Sequence, residues 1–158
     1  MKGQLSIEAV KDEFSSVATI EVILDEYTRA KASANNEQLA QVLYGLGFFL
    51  SPIEKLILDR LVLLDDWHQE HSELITAIQI NEIKMAFNVE VIRCSLEHLP
   101  AYLAKDQDIK HSYVKKCMYA IAAQPHPEAT RTLEELQKSK DEIIRSLASD
   151  QLTRLAGR

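Results

Sequence analysis

"LAQVLYGLGFFLSPIEKLILDRL", residues 39–61, decides the fold class. Its apolar residues follow helical spacing on both sides of one break, and the break has the chemistry of a helix start. Ser51 is placed as N-cap, Pro52 stands at the first helical position, where its missing N–H costs nothing, and Glu54 at the third position can return a bond to the cap. Gly45 and Gly47 fall inside the helix before the break, at about 1 kcal/mol each relative to alanine. A dinucleotide-binding loop would need a preceding strand and a third glycine, and both are missing here. Close packing of one helix on the next is therefore the expected reason for these glycines.

Outward from this unit the helical period continues. Val10, Phe14, Val17, Leu24 and Tyr27 describe a long first helix over about residues 7–32, with Ser15-Ser16 as a place for a bend. "SANNEQ" reads as a turn in which Asn35 caps a helix and Gln38 returns the bond. Ser72, Asp108 and His126-Pro127-Glu128 read as further helix starts, and Ser139 with Glu142 as a Ser-x-x-Glu box. Beyond it Ile144, Leu147, Ala148, Gln151, Leu152 and Leu155 share one face. "NVEVIRCSL", residues 88–96, is rich in β-branched residues. Val89, Ile92, Leu96 and Leu99 nevertheless keep helical spacing and a lone strand would lack a partner, so a helix is expected.

The same unit recurs. Residues 39–61 lie over 114–136 without a gap, matching Tyr44 to Tyr119, Pro52 to Pro127, Leu58 to Leu133 and Leu61 to Leu136. At half that offset residues 77–99 fit between them, matching Phe49 to Phe87, Leu58 to Leu96 and Leu61 to Leu99. A period near 40 of paired helices is what α-solenoids show. The helix–Pro–helix units at 39–61 and 114–136 resemble HEAT or armadillo-type repeats. That resemblance implies a short right-handed stack used as a binding surface. The middle unit departs from it, since it lacks the proline and Pro100 falls late in its second helix. The expected fold is all-α, either a short HEAT-like α-solenoid or a bundle of six to seven helices. One domain over 1–158 is expected, with helix pairs at about 35–67, 72–105 and 108–137 and a last helix at about 139–155.

Composition narrows the function classes. The chain of 158 residues is 46% hydrophobic and 27% charged, ordinary for a globular domain, and no apolar run approaches the length needed to cross a bilayer. The first residues, "MKGQLSIEAVKDEF", lack a signal-peptide h-region, so the expected address is the cytoplasm. Cys94 and Cys117 have no metal-ligand spacing and read as small buried hydrophobes rather than a disulfide. Net charge is −6, unevenly spread: residues 1–50 hold 7 acids and 4 bases, residues 51–100 hold 9 and 4, and residues 101–158 hold 8 and 10. An acidic first two-thirds disfavours nucleic acid and suits a basic partner. The basic cluster "KHSYVKK", residues 110–116, reads mostly as a wet face opposite Ile109, Tyr113, Cys117 and Ile121, with phosphate binding as the alternative.

"DDWHQEH", residues 65–71, is the densest candidate site. His68 and His71 would share a helical face, with Asp65 or Glu70 to supply oxygen to a metal. A zinc-protease helix needs histidines four apart around a glutamate, which this stretch lacks. The competing readings are a solvated helix end and a binding face. In the second, Asp59, Val62 or Leu63, and Asp66 form an acidic stripe that Glu70 and Glu73 extend. Trp67, the only tryptophan, stands beside it as an interface anchor or as a core plug. No catalytic triad or nucleophile motif has supporting context.

A protein-binding module without enzyme activity, metal or cofactor is therefore expected. Its character is similar to the immunity proteins that bacteria make against their own contact-delivered toxins, which implies one basic cognate toxin as partner. The partner-binding residues would be Asp59, Asp65, Asp66, Trp67, Glu70 and Glu73. Two alternatives stay open: a HEAT-like adaptor or scaffold, and a metal-dependent enzyme centred on His68 and His71. No nucleic acid or membrane partner is expected, and the oligomeric state is open.

Overall fold

The computed structural model describes residues 19–157. The expected start of the first helix, with Val10, Phe14, Val17 and Ser15-Ser16, lies outside them. Among the described residues every regular element is helical, as the period predicts. The chain forms two compact units, the first ending at Leu58 and the second beginning at Asp59.

In the first unit, α1 (Ile20–Ala32) starts where the Thr19 hydroxyl accepts from the Val22 N–H. Ile23, Tyr27 and Ala30 are its buried face, and Glu21 at one end with Arg29 and Lys31 at the other complement the helix dipole. The helix closes through Ala34 N–H to Lys31 O (3.1 Å) and Asn35 N–H to Ala30 O (2.9 Å). That closure places Ala34 at φ 47°, a left-handed conformation that glycine normally occupies. Asn35 then caps α2 (Asn36–Ala40), accepting from the Gln38 N–H at 3.0 Å. The Gln38 side chain goes to Glu26 (3.1 Å) instead of back to the cap, so only half of the expected reciprocal bond forms.

The expected helix across the two glycines is wound irregularly, as a π turn over Gln41–Gly45 and a 3₁₀ turn over Leu46–Phe49. A Cβ on Gly47 would lie 3.0 Å from the Val42 carbonyl oxygen and 3.4 Å from Lys55 Cε, whereas a Cβ on Gly45 would meet nothing within 4 Å. Close approach thus accounts for Gly47, against its own turn and a lysine side chain, and leaves Gly45 unexplained. α3 (Pro52–Leu63) begins with the full capping box: Ser51 N–H donates to Glu54 Oε2 at 2.9 Å and Glu54 N–H to Ser51 Oγ at 3.4 Å. The bonds from Ser51 hold the Glu54 carboxyl below the usual range. The division between the two units falls inside α3.

The second unit holds α4 (His71–Ile80), α5 (Ala86–Glu97), α6 (Ala101–Lys105), α7 (Gln107–Ala122), α8 (Glu128–Leu136) and α9 (Glu142–Ala156). α7 is the shared wall, packed against α4, α5, α6, α8 and α9, and it buries Tyr113, Val114, Cys117, Met118, Ala120 and Ile121. α8 in turn packs on α5, and α9 on α8. α4 and α5 thus both lean on α7, α8 packs on α5 and α7, and α9 on α7 and α8, a repeat-like succession of helices. Leu58, Leu96 and Leu133, equated by the internal alignment, are all buried.

"NVEVIRCSL" lies within α5, where Val89, Ile92 and Leu96 bury one face; packing overrides β-propensity. Three expected caps shift by one or two residues. α4 begins at His71, so Ser72 is inside it. Asp106, rather than Asp108, caps α7 by accepting from the Asp108 and Ile109 N–H groups at 2.9 and 3.0 Å. Asp141 caps α9 in place of the Ser139–Glu142 box, and Ser139 Oγ accepts from the Asp141 N–H. At α7 and α9 the aspartate directly before the helix accepts from the first N–H groups, whereas Glu70 before α4 makes no side-chain cap bond.

A polar network crosses the apolar interior of this unit. Arg60 Nε donates to Asn88 Oδ1 (2.8 Å), Asn88 Nδ2 to Gln124 Oε1 (2.7 Å), and Gln124 Nε2 to the Ala120 carbonyl (3.1 Å). Both cysteines are thiols; Cys117 is fully buried and burial pushes its pKa up, while Cys94 is half-buried. Among the described residues no helix is long and apolar enough to cross a membrane.

Candidate functional site

α3 ends at Leu63 because its last turn is met by a side chain from the loop that follows. Val62 O accepts from the Asp65 N–H at 3.1 Å and from His68 Nε2–H at 2.8 Å, so the His68 ring caps the helix end. The other ring nitrogen, Nδ1, accepts from the Glu70 N–H at 3.1 Å, just before α4 begins. His68 thereby ties the end of one helix to the start of the next. His71, the first residue of α4, donates from Nε2 to the Asp65 carbonyl (2.7 Å), and its Nδ1 accepts from the Tyr102 hydroxyl (3.0 Å) on α6.

The two rings stack at 4.4 Å with 18° between their planes, and each residue is 1% exposed. Backbone carbonyls only accept, so both histidines carry their proton on Nε2 and are neutral. Burial lowers the pKa of both; for His71, burial and then the neighbouring His68 bring it to about 4. Burial likewise pushes the Tyr102 hydroxyl up to about 12, so it stays a donor.

This arrangement corrects the expectation of a solvated loop. "DDWHQEH" is a surface turn whose histidines are core. The rings do not share a helical face; the turn folds His68 back over His71. Every ring nitrogen is engaged by the protein, so neither ring offers the free lone pair that a metal ligand or a general base requires. Among the described residues no group of three or more His, Cys, Asp or Glu side chains is placed to hold a metal ion.

The acidic stripe is also redrawn. Asp59 is 1% exposed and Val62 and Leu63 are buried, so the face expected to carry the stripe points into the core. The reason is that the apolar majority of that face decides its direction and Asp59 goes in with it. Asp66 is exposed but lies beyond the end of α3, so helical spacing no longer relates it to Asp59. Asp65 and Glu70 are half-buried, and Glu73 on α4 is exposed, 3.6 Å from Lys116 of α7. Trp67 is half-buried with its ring edge-on to His68 at 5.3 Å.

Sequence reading missed the apolar neighbours of these acids. Leu61 and Leu64 are 45% and 54% exposed at the end of α3, where a core position would be the default for leucine. Ile53 and Ile57, further back on the same helix, are exposed as well, and 53, 57, 61 and 64 follow helical spacing. That spacing was legible in the sequence, but α3 is apolar on nearly all sides, and only packing shows which side remains outside. Comparison with protein-family models, with curated proteins and with solved structures finds no match for this chain.

Proposed function

We propose that this chain is a protein-binding module that presents the α3–α4 turn to a basic partner. The observation that carries the reading is the pinning of that turn: two buried, neutral histidines spend all their ring nitrogens on holding it. Preorganisation of this kind lowers the entropy lost on docking. Exposed Leu61 and Leu64 supply apolar contact beside Asp66 and Glu73, which supply steering and register. In this reading the successive helix pairs of the second unit act as HEAT-like repeats that support the turn. The partner class that suits an acidic chain of this kind is a basic, contact-delivered toxin, and the chain would be its immunity protein in the cytoplasm.

The test compares the wild type with the Asp66→Lys/Glu73→Lys double variant in pull-downs at low and high salt. One stoichiometric basic partner should be retained at low salt and weakened at high salt, and the double variant should slow its association by on the order of tenfold. Equal capture by both proteins would remove the turn from the interface. A dissociation constant in the nanomolar range or below is expected of an antidote; micromolar, exchangeable binding would point to an adaptor instead.

A further inference from the structure

His68 and His71 answer a proton differently, because their accepting nitrogens face different donors. His68 Nδ1 accepts from a backbone amide, the Glu70 N–H at 3.1 Å, and that group has no means of accepting in return. A second proton on the ring sets two N–H groups against each other. His71 Nδ1 accepts from the Tyr102 hydroxyl at 3.0 Å, and a hydroxyl can turn and accept instead. The stack at 4.4 Å admits one charged ring at most, since two imidazolium rings at that distance repel. In hydrogen-bond terms a proton is disruptive at His68 and accommodated at His71.

The bonds of His68 are also local. They run to Val62 and Glu70, six residues back and two on, so their loss frees the turn without detaching α4 or α5 from α7. His71, by contrast, lies on α4 and reaches Tyr102 of α6. The charges around His68 favour an opened form. Burial holds its pKa down, whereas Asp65, Glu70 and Asp66 of the same turn pull it up; once the ring reaches water, only the pull of the acids remains. On α3, Asp59 is buried and Arg60 is turned to Asn88. His71 of α4 covers the ring, with Tyr102 of α6 and Tyr113 of α7 against His71, and Lys116 of α7 stands at Glu73.

We propose that the stacked pair is an acid-operated latch with His68 as its trigger. A proton on His68 Nδ1 opens the 65–70 turn while the helices behind it stay folded, and the released imidazolium pairs with Asp65, Asp66 and Glu70. Closed, the turn is neutral at its histidines and presents its acids outward. Opened, it spends part of that negative charge on its own ring. The consequence for binding rests on the docking reading above: acid would weaken the hold on a basic partner by undoing both the shape and the charge of the turn.

The test is amide hydrogen exchange of the full, free chain followed by NMR, corrected for the intrinsic pH dependence of exchange, with and without about 1 M urea. Opened His68 takes a proton near pH 6.5, so the opening read at the Glu70 amide should grow by up to about thirtyfold between about pH 8 and about pH 5. That rise should be insensitive to urea, as local openings are, whereas exchange at Val114 and Met118 on α7 should accelerate with it. The His68 ring signal should charge along the same curve, and His68→Asn, which has no titrating ring, should lose the rise. No partner is present in this measurement, so failure of the docking reading leaves it untouched, while partner capture lost in step with the opening would support both. Constant protection of the Glu70 amide over this range, a rise that shares the urea dependence of α7, a His68 ring still neutral where the amide has opened, or a rise retained in folded His68→Asn would overturn the proposal.

Discussion

Acid should loosen this protein well before its carboxylates titrate, and the buried histidine pair sets the size of the effect. In the unfolded chain His71 takes a proton near pH 6.5, whereas in the fold it resists one until about pH 4. Between those values the unfolded state binds more protons, so stability falls as pH falls; above about pH 6.5 the contribution is fully present. The whole interval corresponds to about 3 kcal/mol, of which about 2 kcal/mol is lost between pH 8 and about pH 5. His68 acts in the same direction, because a protonated Nδ1 can no longer accept from the Glu70 N–H. The assay is urea unfolding followed by helical circular dichroism and by the fluorescence of Trp67, which packs edge-on to His68. The His71→Phe variant keeps the ring shape and removes the titrating group. It should be less stable than wild type near neutral pH by about 2 kcal/mol, since the Tyr102 hydroxyl and the Asp65 carbonyl lose their partner, yet it should show a flatter pH slope. Wild-type stability that is constant from pH 8 to about pH 5, or an equal slope in His71→Phe, would refute the assignment of neutral, core histidines.

Other expectations follow from single contacts. Asn88→Leu should destabilise the second unit by about 2–3 kcal/mol, because Arg60 Nε loses its acceptor and Gln124 Oε1 keeps only the Met85 N–H; chemical denaturation measures it. Ser51→Ala removes one arm of the capping box and should cost about 1 kcal/mol, whereas Ser51→Asp should retain most of the stability. Ala34→Gly relieves the left-handed strain at the end of α1 and should raise stability by about 0.5–1 kcal/mol, against the usual trend for glycine substitutions; a lower melting temperature would show that the turn does not hold this conformation in solution.

What the chain declares locally, it declares well. Ser51, Pro52 and Glu54 sit within one turn of one another, and the capping box they predict needs no distant partner. Asn35 caps α2 for the same reason. Val89, Ile92 and Leu96 identify a helix inside a β-branched stretch because their spacing reflects one buried face. Of the two matched leucine sets, Leu58, Leu96 and Leu133 share the burial that an internal repeat implies, whereas Leu61, matched to Leu99 and Leu136, is exposed.

Direction relative to the core is different in kind, because it depends on which surfaces the rest of the chain brings up. Asp59 reads as an exposed acid and is carried inward by Val62 and Leu63, while Leu61 and Leu64, better core residues by type, are left outside. His68 and His71 read as a wet pair or as metal ligands. Their partners are the Val62 and Asp65 carbonyls, the Glu70 N–H and the Tyr102 hydroxyl, and three of these are backbone groups that no side-chain motif can signal. The sequence by itself determined the helical class and the break at Ser51-Pro52, since these follow from periodicity and from bonds within a turn. Only the tertiary structure decided that the histidines are structural and that Asp59 is interior, since burial belongs to the packing of many segments at once.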